Sequence, residues 1–174
     1  MKFTGTYNGK PIELELTEEQ MEALGLKRNK TGKKTGWERV EEGESYWACD
    51  GDGKSINVVG EENLHYDDDL FSHANYFSDK ALAENIIKAQ LLQRKLWRRS
   101  AELCEKVDWR NPETKKYYII YDYEDDELCI DFLRAFGRGL EEIYFDTKEH
   151  AEQVIEEFKD ELIWYFTEFK SRMD

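Results

Sequence analysis

The chain has 174 residues, of which 40% are hydrophobic and 14% are aromatic, and its formal net charge is −14. This length suits one compact unit or two small units that share a core, and the aromatic content argues against disorder. No apolar run reaches the ~20 residues of a transmembrane helix. The first ten residues, MKFTGTYNGK, lack the apolar stretch of a signal peptide. We therefore expect a cytoplasmic protein that does not associate with membranes.

The negative charge is unevenly distributed along the chain. Residues 1–36 carry seven basic and five acidic side chains, whereas residues 37–174 carry 18 and 34. Such an acidic surface repels nucleic acid and attracts positively charged clefts. Acidic side chains also keep a protein soluble in the absence of any partner, so the sequence leaves both interpretations open.

The N-terminal residues 1–26 are predicted to form a small module made of a β-hairpin and a short helix. Asn8-Gly9 is the preferred pair for a two-residue hairpin turn, and apolar and acidic residues alternate along the strand that follows it. Thr17 and Gln20 have the spacing of a capping box at the start of the short helix.

A basic linker is predicted at residues 27–36, which contain no large apolar side chain. The simplest interpretation is a solvated tether, and the alternative is a basic strand that contacts nucleic acid or an acidic protein face. Its five cations are Lys27, Arg28, Lys30, Lys33 and Lys34.

Two tandem repeats are predicted at residues 37–107 and 108–174. WERVEEGESYWACD, which begins at Trp37, aligns without a gap with WRNPETKKYYIIYD, and YFSDKALAE corresponds to YFDTKEHAE further along the chain. Each repeat is predicted to be a three-stranded antiparallel meander followed by an amphipathic helix. The predicted fold class is therefore α+β.

The predicted elements follow the same order in both repeats. In the first repeat we expect strands at 45–50 and 54–59, an acidic loop at 60–74 and a short strand at 75–77. A helix capped by Ser78 or Asp79 follows and runs to about residue 106. The apolar stripe of that helix includes Trp97 and Cys104.

In the second repeat we expect strands at 115–123 and around 128–132, a short strand at 143–145 and a helix capped by Thr147. Trp164 falls off the apolar stripe of this last helix. A large exposed aromatic side chain there would mark a contact surface, and the alternative is that a second layer covers it.

The sequence contains no complete metal-binding motif. Residues 50–53 resemble the start of a calcium loop, but Lys54 and Ser55 stand where an EF-hand needs an oxygen ligand and a glycine. His65 and His73 flank a run of aspartates, and their spacing fits no standard zinc pattern.

The cysteines are odd in number, far apart and not arranged as C-x-x-C: Cys49, Cys104 and Cys129. This spacing favours reduced, buried thiols over a disulfide framework or a zinc site. His150 lies early in a predicted helix and is expected to be solvated. No histidine is placed so as to suggest a cysteine nucleophile, and no P-loop, nucleophile elbow or dinucleotide-binding glycine motif is present. We therefore expect a protein that is not an enzyme and needs no cofactor.

The pattern W-E-R-V-x-x-G-E-x-Y-W-x-x-D, followed by N-Y-F and a helix that begins with Ala-Glu, resembles small acidic proteins encoded by phages and mobile elements of Firmicutes. The segment GTYNGKPIELELTEEQ also resembles the N-terminal modules of such proteins. Some similar phage proteins are anti-CRISPR inhibitors of the type II effector nuclease. The resemblance therefore implies binding to that nuclease, or to its complex with guide RNA, in the cytoplasm of a bacterial host.

The acidic clusters of the chain are the candidate contacts with such a nuclease, because the nuclease holds its guide–target duplex in a positively charged channel. We add Trp164 as an aromatic contact. The acidic candidates are Glu41, Glu42, Glu44, Asp67, Asp68, Asp69, Glu124, Asp125, Asp126 and Glu127.

The alternative interpretation is a non-enzymatic phage module that binds nucleic acid or a phage protein. It rests on the basic linker and on a basic face of the first long helix, formed by Lys88, Lys95, Arg98 and Lys106.

Overall fold

The structure is a computed structural model that describes residues 2–7, 10–15, 17, 20, 34–105, 107–134 and 143–169. Within these residues the fold is mixed α+β, which confirms the predicted class, and its strands form separate two-stranded antiparallel sheets. The elements are β1 (Lys2–Tyr7), β2 (Lys10–Glu15), β3 (Ser45–Cys49), β4 (Ile56–Gly60), α1 (His65–Ser72), α2 (Lys80–Leu103), β5 (Lys116–Asp122), β6 (Glu127–Leu133) and α3 (Lys148–Thr167).

The chain divides into two compact units, Met1–Lys34 and Thr35–Asp174. In the first unit, β1 pairs with β2 from Lys2 opposite Glu15 to Tyr7 opposite Lys10. The Thr17 N–H donates to Gln20 Oε1 at 2.9 Å and the Gln20 N–H donates to Thr17 Oγ1 at 3.3 Å, so both hydrogen bonds of a capping box are present. The rest of the predicted short helix, and linker residues 27–33, lie outside the described residues.

The second unit begins with the hairpin of β3 and β4, whose alternation buries Tyr46 and Ala48. The third strand predicted at 75–77 is instead a single antiparallel bridge between Trp47 and Phe77. Their two backbone hydrogen bonds measure 2.8 and 2.9 Å. The chain leaves the sheet directly after Phe77 because the cap of α2 begins two residues later.

The acidic segment 60–74, predicted as a loop, contains the helix α1. Leu64 occupies the N-cap position, so the sequence shows no conventional capping residue there. Asp67 supplies the cap from within the first turn, because its Oδ2 accepts the Leu64 N–H at 3.0 Å and the Glu62 N–H at 3.1 Å. The segment was predicted as a loop because no capping residue precedes the helix and the capping carboxylate, Asp67, is part of a run of aspartates inside it.

The sequence offers Ser78 or Asp79 as the cap of α2, and the structure uses Asp79, which accepts the Leu82 N–H at 3.0 Å. Its buried face lies along one stripe, as its 3.6-residue period requires. Trp97, which the sequence assigned to that stripe, is 51% exposed, because the adjacent Leu96 occupies the core position. The buried residues of α2 are Leu82, Ala83, Ile87, Ala89, Leu92 and Leu96.

The second half of this unit contains the hairpin of β5 and β6 and the helix α3. The third strand predicted at 143–145 is again a single bridge, between Tyr117 and Phe145. Thr147 caps α3 by accepting the His150 N–H at 3.2 Å. The core between α2 and α3 contains Leu92, Leu96, Phe145, Ala151, Val154, Phe158 and Leu162. Among the described helices, none is long and apolar enough to span a membrane.

Residues 35–38 fix the start of α2. The Glu38 carboxylate accepts hydrogen bonds from the N–H groups of Thr35 and Gly36 and, at 3.1 Å, from the Ser78 hydroxyl. The bonds from Thr35 and Gly36, led by the one from the Thr35 N–H, lower the pKa of Glu38 to about 2. Gly36 itself has φ +88° and lies against α2, where an added Cβ would stand 2.7 Å from Leu82 Cδ2.

We predict that Gly36→Ala lowers the free energy of unfolding by roughly 2–4 kcal/mol, as the sum of left-handed backbone strain and overpacking. Leu82 is only 2% exposed, so it has little room to move. Gly43 has the same φ of +88° but no atom within 4 Å of its added Cβ, so Gly43→Ala isolates the backbone part, about 1–2 kcal/mol. Urea unfolding of both variants measures the difference, and equal losses would refute the predicted clash with Leu82.

Candidate functional site

Two of the predicted acidic clusters lie on adjacent segments beside the β3–β4 hairpin. The Gly43 N–H donates to the Glu61 carbonyl and the Glu61 N–H donates to the Glu44 carbonyl, both at 2.8 Å. Asn63 Nδ2 donates to Glu42 Oε2 at 2.9 Å. The turn at 41–44 is therefore held against the segment that leads into α1. We call the exposed carboxylates of this region the acidic face: Glu41, Glu42, Glu44, Asp68 and Asp69.

Asp67, predicted as a partner contact, is 2% exposed and is absent from the acidic face. Its Oδ1 accepts a hydrogen bond from the Tyr46 hydroxyl at 2.7 Å. Its Oδ2 accepts the N–H groups of Glu62 and Leu64 at the start of α1. The Tyr46 hydroxyl is the main cause of the lowered pKa of Asp67. Because all its hydrogen-bonding capacity is directed inward, Asp67 stabilises α1 and does not face a partner.

Arg39 and Glu61 form the centre of a polar network next to Asp67. The Arg39 guanidinium donates to both Glu61 oxygens, at 3.0 and 2.8 Å, and to Asp68 Oδ1 at 2.5 Å. The Tyr76 hydroxyl donates to Glu61 Oε2 at 2.7 Å, and the Tyr76 ring stacks on that of Tyr46 at 3.8 Å. Arg39 is the main cause of the lowered pKa of Glu61. An ionised, fully bonded carboxylate is a structural acceptor and is not a general acid.

The sequence does not predict this network. Tyr46 and Tyr76 can be singled out in the sequence because both occupy positions that match between the two predicted repeats. Their hydrogen-bond acceptors, Asp67 and Glu61, cannot be singled out in this way. Glu61 is one of 39 acidic residues and lies 22 residues from Arg39. A buried carboxylate cannot be recognised in an acidic sequence without knowledge of its tertiary partners.

The third predicted acidic cluster is the turn of the β5–β6 hairpin, and its four side chains are all exposed. We call Glu124–Glu127 the acidic turn. Asp122 Oδ1 accepts the Glu124 N–H at 2.9 Å, which fixes the backbone of the turn. The Tyr123 hydroxyl donates to the Phe166 carbonyl at 2.5 Å and so ties the turn to the end of α3. The turn is therefore supported by the protein while its carboxylates project into solvent.

The basic face predicted on α2 is occupied by contacts within the protein. Lys95 Nζ pairs with Glu161 of α3 at 2.8 Å, and Arg98 Nε lies 3.8 Å from Glu102. Lys88 Nζ lies 3.6 Å from the ring centroid of Trp164, which is half-buried. Lys88, Lys95 and the predicted contact Trp164 therefore help to join α2 to α3, whereas Arg98 pairs only within α2. Of the linker cations, Lys34 is described and exposed, and Lys27, Arg28, Lys30 and Lys33 lie outside the described residues, as does Lys106 of the predicted basic face.

One group of side chains in the described part of the chain has the composition of a metal site: Cys104, Asp146 and His150, whose ligand atoms all lie within 4.8 Å of one another. His150 Nδ1 lies 2.6 Å from Asp146 Oδ1. The sequence predicted a solvated His150, but its side chain is only 26% exposed because it packs at the joint between α2 and α3. Burial raises the pKa of the Cys104 thiol, which makes it a poor nucleophile by itself.

Comparison of the chain with known protein families, with curated proteins and with solved structures gives no match in any of the three. The described residues form a mixed α+β fold with an acidic face, an acidic turn, and cations of α2 that contact neighbouring groups of the same chain.

We predict that Asp67→Asn lowers the free energy of unfolding at neutral pH by roughly 1.5–3 kcal/mol, the usual range for hydrogen bonds to a charged group. Because the pKa of Asp67 is lowered on folding, its contribution is complete above the ordinary pKa of about 3.9 and is lost as the pH falls through the folded value. The difference in unfolding free energy between wild type and Asp67→Asn should therefore become smaller below about pH 4.

Denaturant unfolding across this pH range measures the effect. The matched control is Asp69→Asn, which removes an exposed charge from the same helix and should change stability by less than about 0.5 kcal/mol. Equal effects of the two substitutions would contradict the structural role of Asp67.

Proposed function

We propose that this protein is a phage-encoded anti-CRISPR protein that acts in the cytoplasm of a bacterial host. It binds a type II RNA-guided DNA nuclease, or its guide RNA complex, through acidic surfaces and does no chemistry. One observation carries the proposal: the carboxylates of the acidic turn and the acidic face are exposed, whereas the described cations of α2 contact groups of the same chain. The surface offered to a partner is therefore strongly negative.

The target of such a surface is a positively charged groove. A type II nuclease holds its guide–target duplex in a channel of this charge and reads a short duplex motif with arginines. Duplex DNA presents about one charge per ~1.7 Å, and a cluster of fixed carboxylates competes for the same cations. Complementary charge speeds association and fixes orientation, so binding by this mechanism weakens as salt is added.

The acidic turn is the better candidate for the principal contact. Its carboxylates lie at the tip of a hairpin whose backbone is fixed by Asp122 and whose base is tied to α3 by Tyr123. A contact surface that is already ordered loses less entropy when it binds. In the acidic face, by comparison, Asp68 is partly neutralised by Arg39.

We also propose that residues 37–107 and 108–174 are two copies of one supersecondary unit. Each half has a hairpin, one bridge to a buried phenylalanine and a capped helix. Each helix then begins with a Lys–Glu pair at 3.2 Å, Lys80–Glu84 in one and Lys148–Glu152 in the other. A fully buried alanine follows the cap at the same place in both helices, Ala83 and Ala151, each 0% exposed.

If the two halves are equivalent, Ala83→Leu and Ala151→Leu should each lower the free energy of unfolding by roughly 1–3 kcal/mol, because both positions are closed to a larger side chain. The control is Ala81→Leu, an exposed position on α2, which should stay within about 0.5 kcal/mol of wild type. Tolerance of leucine at only one of the two buried positions, measured by urea unfolding, would argue against equivalent units.

We predict that Glu124→Lys/Asp125→Lys weakens binding to a guide-loaded type II nuclease roughly tenfold or more, and reduces the salt dependence of binding. The control is Glu113→Lys/Asp160→Lys, which makes the same charge change at exposed positions outside both acidic surfaces. Titration of each variant at two salt concentrations, together with a DNA-cleavage assay, gives the comparison.

Unchanged inhibition by the acidic-turn variant would exclude the acidic turn as the contact. Equal weakening by both variants would mean that net charge alone drives binding. If the intact protein instead binds DNA or RNA and does not bind the nuclease, the nucleic-acid-binding alternative replaces the proposal. Deletion of residues 27–34 would then test the basic linker.

A further inference from the structure

We propose that Cys104, Asp146 and His150 bind a Zn²⁺ ion at the joint between α2 and α3. The three residues come from separate places in the fold: Cys104 is the C-cap of α2, Asp146 precedes the cap of α3, and His150 lies in the first turn of α3. A thiol, a carboxylate and an imidazole converge there, with ligand atoms within 4.8 Å of one another. The site is independent of the proposed inhibitor surfaces.

The geometry of the cluster suits a tetrahedral ion. Zinc bonds of about 2.0–2.3 Å place neighbouring ligand atoms about 3.5 Å apart. His150 Nδ1 and Asp146 Oδ1 are now 2.6 Å apart, so this pair would open slightly to admit the ion. The ligand atoms lie within 4.8 Å of one another, so the thiol would have to approach by at most about 1.3 Å, a distance that side-chain rotation can supply.

The outer contacts of the cluster already orient the ligands. The Glu105 N–H donates to Asp146 Oδ2 at 2.8 Å, which leaves the other oxygen directed at His150. The Ser100 hydroxyl lies 3.8 Å from Cys104 Sγ and 3.2 Å from the Tyr144 carbonyl, which it can reach as a donor. Such supporting hydrogen bonds accompany most protein metal ligands and fix their orientation.

The donor set selects the ion. Calcium and magnesium prefer oxygen ligands, whereas one sulfur, one nitrogen and one oxygen suit the borderline-soft Zn²⁺. Three protein ligands leave a fourth position for water or for an exchangeable ligand, as in zinc sites that are not purely structural. The ion would also supply the positive charge that a thiolate beside Asp146 requires.

A groove of about 440 Å³ adjoins Cys104 and gives access to that fourth position. Its walls combine the aromatic side chains Trp97, Trp109 and Tyr144 with the polar residues Ser100 and Glu105. The Tyr144 side chain is 6% exposed, and its buried hydroxyl makes no hydrogen bond within the described residues. An unsatisfied hydroxyl in the lining offers a polar anchor for a small ligand that reaches the ion from the groove.

The experiment uses the full-length chain with Zn²⁺ and with Co²⁺ as a spectroscopic substitute. Wild type should bind one equivalent of Zn²⁺ by calorimetry and should show a sulfur-to-cobalt absorption band with Co²⁺. Zn²⁺ should also raise the midpoint of thermal unfolding, because an ion bound only by the folded state stabilises it. Cys104→Ser should abolish the absorption band and weaken Zn²⁺ binding by more than the roughly 10–100-fold loss that follows removal of an outer contact.

The controls use other thiols and another histidine of the chain. Cys49→Ser and Cys129→Ser remove half-buried thiols elsewhere, and His65→Gln removes a 91% exposed histidine that lies 3.8 Å from Asp69. All three should bind as wild type does. His150→Gln alters a side chain near the surface and tests the site if Cys104→Ser fails to fold. Lack of an absorption band in wild type, or Zn²⁺ binding that His150→Gln leaves unchanged, would overturn the proposal.

Discussion

The hydroxyls of Tyr46 and Tyr76 donate to two buried carboxylates, Asp67 and Glu61, and the first half of the second unit depends on these bonds. An ionised carboxylate is costly to bury unless its oxygens are satisfied. Arg39 provides the compensating cation for Glu61, and backbone N–H groups complete the shell of Asp67. Together these bonds fix α1 and the turn at 41–44, and so determine which acidic side chains face outward.

Ion pairs also join the two long helices, α2 and α3. Lys95 and Arg99 of α2 pair with Glu161 and Glu157 of α3, at 2.8 and 2.7 Å. Partly exposed pairs of this kind contribute little to stability individually, but they decide where the cations lie. Lys95 and Arg99 are held at the helix interface, whereas the carboxylates of the acidic turn lie exposed at the tip of the β5–β6 hairpin. The proposed mode of binding follows from this arrangement.

The parts of the fold that local sequence determines were predictable. Thr147 was correctly predicted as a helix cap, and Asp79 was one of the two candidates for α2, because a cap bonds only to its own first turn. Helix α1 was missed because its capping carboxylate, Asp67, lies inside the helix and is fixed by Tyr46. The cluster at Cys104 was missed because its other members lie about forty residues further along the chain. Such partners are chosen by tertiary packing, which residue spacing does not encode.

The zinc site and the acidic turn lie at opposite ends of α3. His150 is in its first turn and Phe166, which anchors Tyr123, is in its last, so at 1.5 Å per residue they are roughly 24 Å apart. That distance is about three times the Debye length of ~8 Å at physiological ionic strength. A bound ion therefore changes the field at the acidic turn very little. Zinc could affect the binding of a partner only by changing the conformation or stability of α3. The backbone of this helix departs from helical geometry at Phe158.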